Sequence, residues 1–362
     1  MSIFESLFDV LYLSVVVGLG MRLLLEKTRG ARLFGLMAIL LGLGDAFHLM
    51  PRVLSHLSPL GFAGHEAALS WGQFVTSITM TVFYLLYYHF YRNQSGDRSN
   101  TKRYAIYALA AIRILLAALP QNGWGQLPGN YLFGIFRNIP FAIMGALLIY
   151  WSFKVRTKPG LEGMWWLILL SFLFYIPVVL WSERFPPIGA LMMPKTVAYL
   201  AIVVRGFRYF VGTFKGRSIL GIAYVNLTMG LVAGVFYREF TKFYRFTEPT
   251  HLGKLHAHTL ALGFIGMLLF YLLARDIEAH QLRKIKRPIY LFESGLVFTI
   301  ANMAVIGIYE VVGQGQETIN PAAISGTSGL GHILLAAGLV WAMVLLYGAE
   351  KGSSEKAKTC QN

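Results

Sequence analysis

The sequence predicts an all-α polytopic membrane protein of about eleven transmembrane helices, seven followed by four. The N-terminus is expected outside and the C-terminus in the cytoplasm. Three observations predict this. The 362 residues are 56% hydrophobic and only 14% charged, with a mean hydropathy of +0.56, whereas a soluble protein carries about 25% charged residues. Apolar stretches long enough to cross a bilayer, which takes ~20 helical residues, recur along the whole chain. Basic residues alternate in density between successive connecting segments.

The spans are expected at 4–25, 33–50, 67–90, 104–120, 131–152, 163–181, 188–209, 219–237, 255–274, 289–310 and 329–348. Of the 32 Lys and Arg, 23 fall in alternate segments between them or at the span ends that border those segments. These are Arg22, Lys27, Arg29 and Arg32, then Arg92, Arg98, Lys102 and Arg103, then Lys154, Arg156 and Lys158. Arg205, Arg208, Lys215 and Arg217 follow, then Arg275, Arg283, Lys284, Lys286 and Arg287, and last Lys351, Lys356 and Lys358. The opposite segments hold six: Arg52, Arg184, Arg238, Lys242, Arg245 and Lys254. Arg113, Arg137 and Lys195 lie inside spans. This bias is the positive-inside pattern of cytoplasmic loops. It assigns the net charge of +15 to a rim facing anionic lipid. The bilayer is thus the expected partner, and a nucleic acid is not, because no soluble basic domain is present.

Taken in order, the first span follows a short tail without a basic residue or a small-residue cleavage site, so it is expected to be retained. The second ends in LGLGDAFHLMPR. QNGWGQLPGN at 121–130 reads as an external turn-rich loop, and 311–328 reads the same way. The basic link FVGTFKGRS at 210–218 separates the seven spans from the four. Domains are therefore expected at 1–212 and 213–350, with a polar cytoplasmic tail at 351–362. Trp124, Tyr131, Trp181 and Tyr347 lie near span ends, where interfacial aromatic belts form. Gly230, Gly234, Gly263 and Gly266 suit close helix contact in the four-span part. Cys360, the single cysteine, excludes disulfides and cysteine metal sites within one chain.

Charges inside a bilayer are expensive and face a partner or a cavity. Asp45, His48, Arg113, Arg137, Asn138 and Lys195 all fall in the outer half of the seven-span part by this topology. Asp45 and His48, three apart, share one helix side. Three readings follow: a polar pocket for a ligand, as in a transporter or small-ligand binder; a buried ion-pair network joining Asp45 to Arg113, Arg137 or Lys195; or a metal-dependent membrane hydrolase using Asp45 and His48, with His56 and His65 nearby. Lys195 in the seventh span shares one feature with the retinal-binding lysine of rhodopsins, and the resemblance stops there.

In the four-span part, LHAHTLALGFIG places His256 and His258 at the external end of span 9, and SGLGHILLAAGL places His332 at that of span 11. Facing helices of a bundle supply axial histidines to haem iron. His256 and His258, two apart, diverge by ~200° around their helix. One of them is therefore expected to pair with His332, around a b-type haem or a transition metal. Arg238, Lys242, Arg245 and Lys254 in the preceding loop would neutralise propionates.

HAHTLALGFIG is similar to the HxHxxxLGF helix of haem-copper oxidase subunit I-like proteins and of the haem- and copper-containing NnrS family. The stretch from about 224 to 347, with GVFYREFTKF, LHAHTLALG and SGLGHILLAAG, resembles a family of small four-span bacterial membrane proteins of unknown function. The resemblance implies a bacterial inner membrane and a haem- or metal-linked redox or sensing role with a redox partner. It does not extend to a complete haem–copper centre, for which this chain has too few histidines. The first seven spans resemble no family.

Overall fold

The computed structural model describes residues 2–57, 61–212, 216–275, 277, 279–313 and 321–359. They form helices and short connections, with no strand among them. The long helices are α1 (Ser2–Leu24), α2 (Arg29–Leu57), α3 (Glu66–Ser95), α4 (Asn100–Ala118), α5 (Tyr131–Lys154), α6 (Met164–Trp181), α7 (Met192–Val211), α8 (Gly216–Tyr244), α9 (Leu252–Leu273), α10 (Ala279–Val312) and α11 (Pro321–Thr359). Among the described residues nine have the length and apolarity to cross a membrane; α1 and α4 are not in that set. α4 carries Lys102, Arg103 and Arg113 within 19 residues, which dilutes its apolarity.

The chain divides into two compact units, Met1–Phe210 and Val211–Asn362. One expected connection differs. The loop expected at 311–328 is shorter, because Pro321 opens α11 and 321–328 are helical. Proline suits a helix start, where its missing N–H costs nothing. Residues 314–320 of that loop, Lys215 in the basic link, and Cys360 in the tail lie outside the described residues. The helix runs on to Thr359, so the tail up to that residue is helical.

In the seven-helix unit, α1 to α6 pack in chain order. α7 joins them through Tyr199 on Phe83, at 5.8 Å between ring centroids, and Phe210 on Phe34, at 5.9 Å. Lipid tails are as apolar as leucine, so burial of carbon does not by itself hold membrane helices together; close packing and interhelical hydrogen bonds do. α3 supplies both. Tyr84 and Tyr87, fully buried, hydrogen-bond Ser171 of α6 and Ser152 of α5, each at 2.9 Å. Gly72 lets α3 approach α2 backbone to backbone: a Cβ there would lie 2.3 Å from the Phe47 oxygen and 2.8 Å from His48 Cα. That contact seats the turn bearing His48.

The α3–α4 connection is closed by Asp97. Its carboxylate accepts from the Ser99 N–H at 2.9 Å and the Tyr91 hydroxyl at 3.1 Å, and pairs with Lys102. Partial burial works against the charged form, but these partners outweigh it and hold the carboxyl below its usual range.

In the four-helix unit, α9 packs on α8 and α10, and α11 packs along α10. α9 is α-helical over Leu252–His258, π-helical over Thr259–Ile265, and α-helical again over Gly266–Leu273. At the α10–α11 crossing, a Cβ on Gly338 would lie 2.3 Å from the Phe292 nitrogen, and one on Gly295 2.4 Å from the Leu335 nitrogen. Neither neighbour is a side chain that can swing away. Gly338→Val is expected to cost about 1–3 kcal/mol by overpacking, measured as loss of thermal stability in detergent. An unchanged unfolding midpoint would show that the helices separate at no cost.

Candidate functional site

The sequence-predicted polar residues of the first unit, Asp45 excepted, converge on one cavity of about 410 Å³. His48 and Arg52 reach it from α2, Arg113 from α4, Arg137 and Asn138 from α5, and Lys195 from α7. Asn122, Trp124 and Asn130 of the α4–α5 connection and Glu183 of the α6–α7 connection also line it. The cavity therefore lies at the end of this unit opposite the loops that carry Lys27, Arg98 and Lys158.

Arg113, Arg137 and Lys195 make their direct contacts with neutral groups. Arg113 is 2% exposed, and its guanidinium carbon sits 3.3 Å from the centroid of the Phe141 ring. Its Nε and one terminal nitrogen are buried without a hydrogen-bond partner. The Arg137 guanidinium lies over the Trp124 ring at 4.5 Å and donates to Asn122 Oδ1 at 2.7 Å; its Nε has no partner. Lys195 Nζ is 5.0 Å from the Tyr175 ring and 5.5 Å from that of Tyr199. Its one hydrogen-bond contact is the Met192 sulfur, at 3.8 Å. Asn138 accepts from the Tyr175 hydroxyl at 2.9 Å, which fixes that ring. His48 Nδ1 is buried without a partner.

The expected ion-pair network is not made by direct contact, although Asp45 and Lys195 lie close enough to act on each other's charge. Among the described residues no salt bridge joins Asp45 to Arg113, Arg137 or Lys195. Asp45 lies behind the cavity wall, 7% exposed, and accepts from the Tyr12 hydroxyl at 2.7 Å. Arg52 is paired at 2.6 Å with Glu5. The energetic consequence follows from magnitudes. A buried unpaired ion costs several kcal/mol, while one desolvated cation–π contact returns about 2 kcal/mol. Stacking on Phe141 therefore leaves Arg113 undercompensated, and two of its nitrogens are without a partner beside the cavity.

The hydrolase expectation gains no support. A metal site needs three or four ligands, and no group of three His, Cys, Asp or Glu side chains that could hold a metal exists among the described residues. Asp45 is spoken for by Tyr12. His56 Nε2 lies 3.3 Å from Glu5 Oε2, and His65 Nδ1 bonds the Gly61 carbonyl at 3.0 Å.

In the second unit His256, His258 and His332 likewise do not form a group of three that could hold a metal. His256 packs toward α8, where Gly234 leaves room for it, and its Nδ1 is buried without a partner. His258 Nδ1 turns back to the Lys254 carbonyl at 3.0 Å. His332 is exposed on α11, which packs on α10. Arg238, Lys242, Arg245 and Lys254 are exposed too, and Arg238 lies 3.5 Å from Glu239.

Several residues of the cavity escaped the sequence reading. Asn122 was legible only as part of a turn. Its amide nitrogen binds the Leu116 and Leu119 carbonyls, both at 2.8 Å, capping α4, so that its oxygen is aimed at Arg137. Trp124, expected in an interfacial belt, is half-buried and donates to the Ala117 carbonyl at 2.8 Å. Tyr12, Phe141, Tyr175 and Tyr199 are ordinary residues of apolar spans, and nothing local marks them. In the second unit, Glu310 was also missed; it accepts from the His251 N–H and the Thr250 hydroxyl, both at 2.8 Å.

No curated protein and no solved structure matches the chain. Residues 217–349, within the four-helix unit, match the model of a family described as a protein of unknown function, DUF2871.

Proposed function

We propose that this chain is an eleven-span membrane protein whose seven-helix unit binds a small organic anion from the external side. One observation carries the reading. Arg113, Arg137 and Lys195 meet at a single cavity, contact aromatic rings and amides and no carboxylate directly, and both arginines keep unsatisfied N–H groups. The volume of about 410 Å³ suits a small molecule, since ligand sites run from about 300 to 1,000 Å³. Walls from Trp124, Phe141, Tyr175 and Tyr199 suit a ligand with an apolar body behind its carboxylate. Ligand binding is the reading; transport would add a change of access.

Binding is tested on the detergent-purified protein with a panel of probes: benzoate, short-chain carboxylates, inorganic phosphate, and choline as cationic control. Carboxylates are expected to raise the unfolding temperature saturably, and choline is not. Lys195→Met and Arg137→Met are expected to weaken the carboxylate response at least about 10-fold, the equivalent of one charge-assisted hydrogen bond. Equal responses to all salts, or none to any anion, would overturn the reading.

Orientation rests on the asymmetry of Lys and Arg between alternate segments. A reporter fused at the C-terminus is expected in the cytoplasm and one within 121–130 outside. Both on one side would refute the eleven-span topology.

A haem in the four-helix unit is a second proposal, supported by the partnerless buried Nδ1 of His256. A b-type haem on His332 and one α9 histidine would give a Soret band that is lost in His332→Ala. Protein from haem-replete cells without that band removes this proposal and leaves the anion site untouched.

A further inference from the structure

The four-helix unit holds a carboxyl group that neither reading uses. Glu293 lies on α10, inside the candidate span Lys284–Val312. Its Oε2 accepts from Asn226 Nδ2 of α8 at 3.2 Å. Asn226 is fully buried, and its Oδ1 has no hydrogen-bond partner. Gly263, in the π-helical turn of α9, makes room for it: a Cβ there would lie 2.7 Å from Asn226 Cγ. Ala223, Met267 and Ile289, about one turn from Asn226, Gly263 and Glu293, belong to the buried apolar core of the unit. A polar layer of one carboxyl and one amide is thus set beside an apolar one.

Among the described residues no cation pairs with this carboxyl. α10 packs against α8, α9 and α11. Their titratable side chains along the spans are Tyr224, Tyr237, Arg238, Glu239, Lys242 and Tyr244 on α8, Lys254, His256, His258 and Tyr271 on α9, and His332 and Tyr347 on α11. Among the described residues none of them forms a hydrogen bond or ion pair with Glu293, whose one partner is Asn226. An ionised carboxylate without a cation is costly inside a membrane, and such residues mark proton relays and ion paths. π-helical turns inside α-helices recur at functional sites.

We propose that Glu293 is a proton-binding site of the four-helix unit, with Asn226 as its hydrogen-bond partner in both protonation states. The chemistry of an amide fits the role. An ionised Glu293 accepts from Asn226 Nδ2, the bond present in the structure. A protonated Glu293 becomes a donor and needs an acceptor. Asn226 Oδ1 is an unused acceptor on the same group, brought round by rotation of the amide. Gly263 leaves the space for that rotation. A leucine at 226 serves neither state, and an aspartate at 293 preserves the proton.

The probe is dicyclohexylcarbodiimide, an apolar reagent for protonated carboxyls. The carboxylic O–H adds across one C=N bond, giving an O-acylisourea, and an oxygen-to-nitrogen acyl shift yields a stable N-acylurea with no leaving group. The full-length protein in detergent is labelled at about pH 7, where an ordinary glutamate of pKa ~4.3 is ionised, and the adduct is mapped by peptide mass. Glu293 is expected to carry the label, with labelling declining as pH rises. Glu293→Gln should lose that adduct while other labelled carboxyls keep theirs; Glu293→Asp should retain it. Asn226→Leu, which removes the donor for the ionised form, should move the pH profile upward by about a unit or more, a tenfold change in proton retention. Glu293 unlabelled at pH 7 in folded wild-type protein would overturn the proposal. A profile unmoved in folded Asn226→Leu would overturn the role of Asn226.

Discussion

Arg113→Met is expected to make the protein more stable and to abolish its response to carboxylates. The guanidinium is 2% exposed, stacked 3.3 Å from the Phe141 centroid, and has two nitrogens without partners. Methionine has a similar reach, no charge, and a thioether that packs well on aromatic rings. Replacing buried charged groups by apolar ones of similar volume is often stabilising, by about 1–4 kcal/mol. An anion that pairs with Arg113 would lose a charge-assisted bond worth about 1.5–3 kcal/mol, a fall in affinity of roughly 10- to 150-fold. Stability and function are therefore predicted to move in opposite directions, the usual cost of a binding site. The measurements are the unfolding midpoint without ligand and the carboxylate dose–response. A variant that is both destabilised and still responsive would show that Arg113 is a structural strut.

Tyr12→Phe is expected to destabilise the seven-helix unit by about 1.5–3 kcal/mol, the range for a hydrogen bond to a charged group. The hydroxyl lies 2.7 Å from Asp45 Oδ2, and both residues are buried. Asp45→Asn should cost less, about 1 kcal/mol or under, because an amide oxygen still accepts from the hydroxyl at the strength of a neutral bond. A double-mutant cycle over the two sites should show coupling, since they are in direct contact. An ion-paired Asp45 would behave in the reverse way: Asp45→Asn would cost about 3–5 kcal/mol by stranding its cation, and Tyr12→Phe would cost little. Unfolding curves of the three variants decide between them.

Membrane residence and helical architecture were legible in the chain because hydropathy and charge are local properties. Spans at 131–152 and 163–181 fall on α5 and α6, whose bounds follow from where apolar residues stop. Arg113, Arg137 and Lys195 were conspicuous for the same reason: a charge inside an apolar run is visible without a structure. The helical start at Pro321 was not, since small residues there mark a turn or a helix equally well.

Partner choice was decided by tertiary packing. Asp45 takes its hydrogen bond from Tyr12, 33 residues away, and touches none of the cations on α4, α5 and α7 directly. Arg137 takes Asn122, and Arg113 takes Phe141. These partners are neutral residues whose types are common in spans and turns, so they leave no local mark. Gly72 sets the distance from α3 to the turn of His48, and the π-helical turn in α9 shifts the facing of residues after Thr259. Charge pattern reveals which side chains carry a desolvation cost, because that cost depends on the residue and its depth; which neighbour offsets it depends on contacts between helices far apart in the chain.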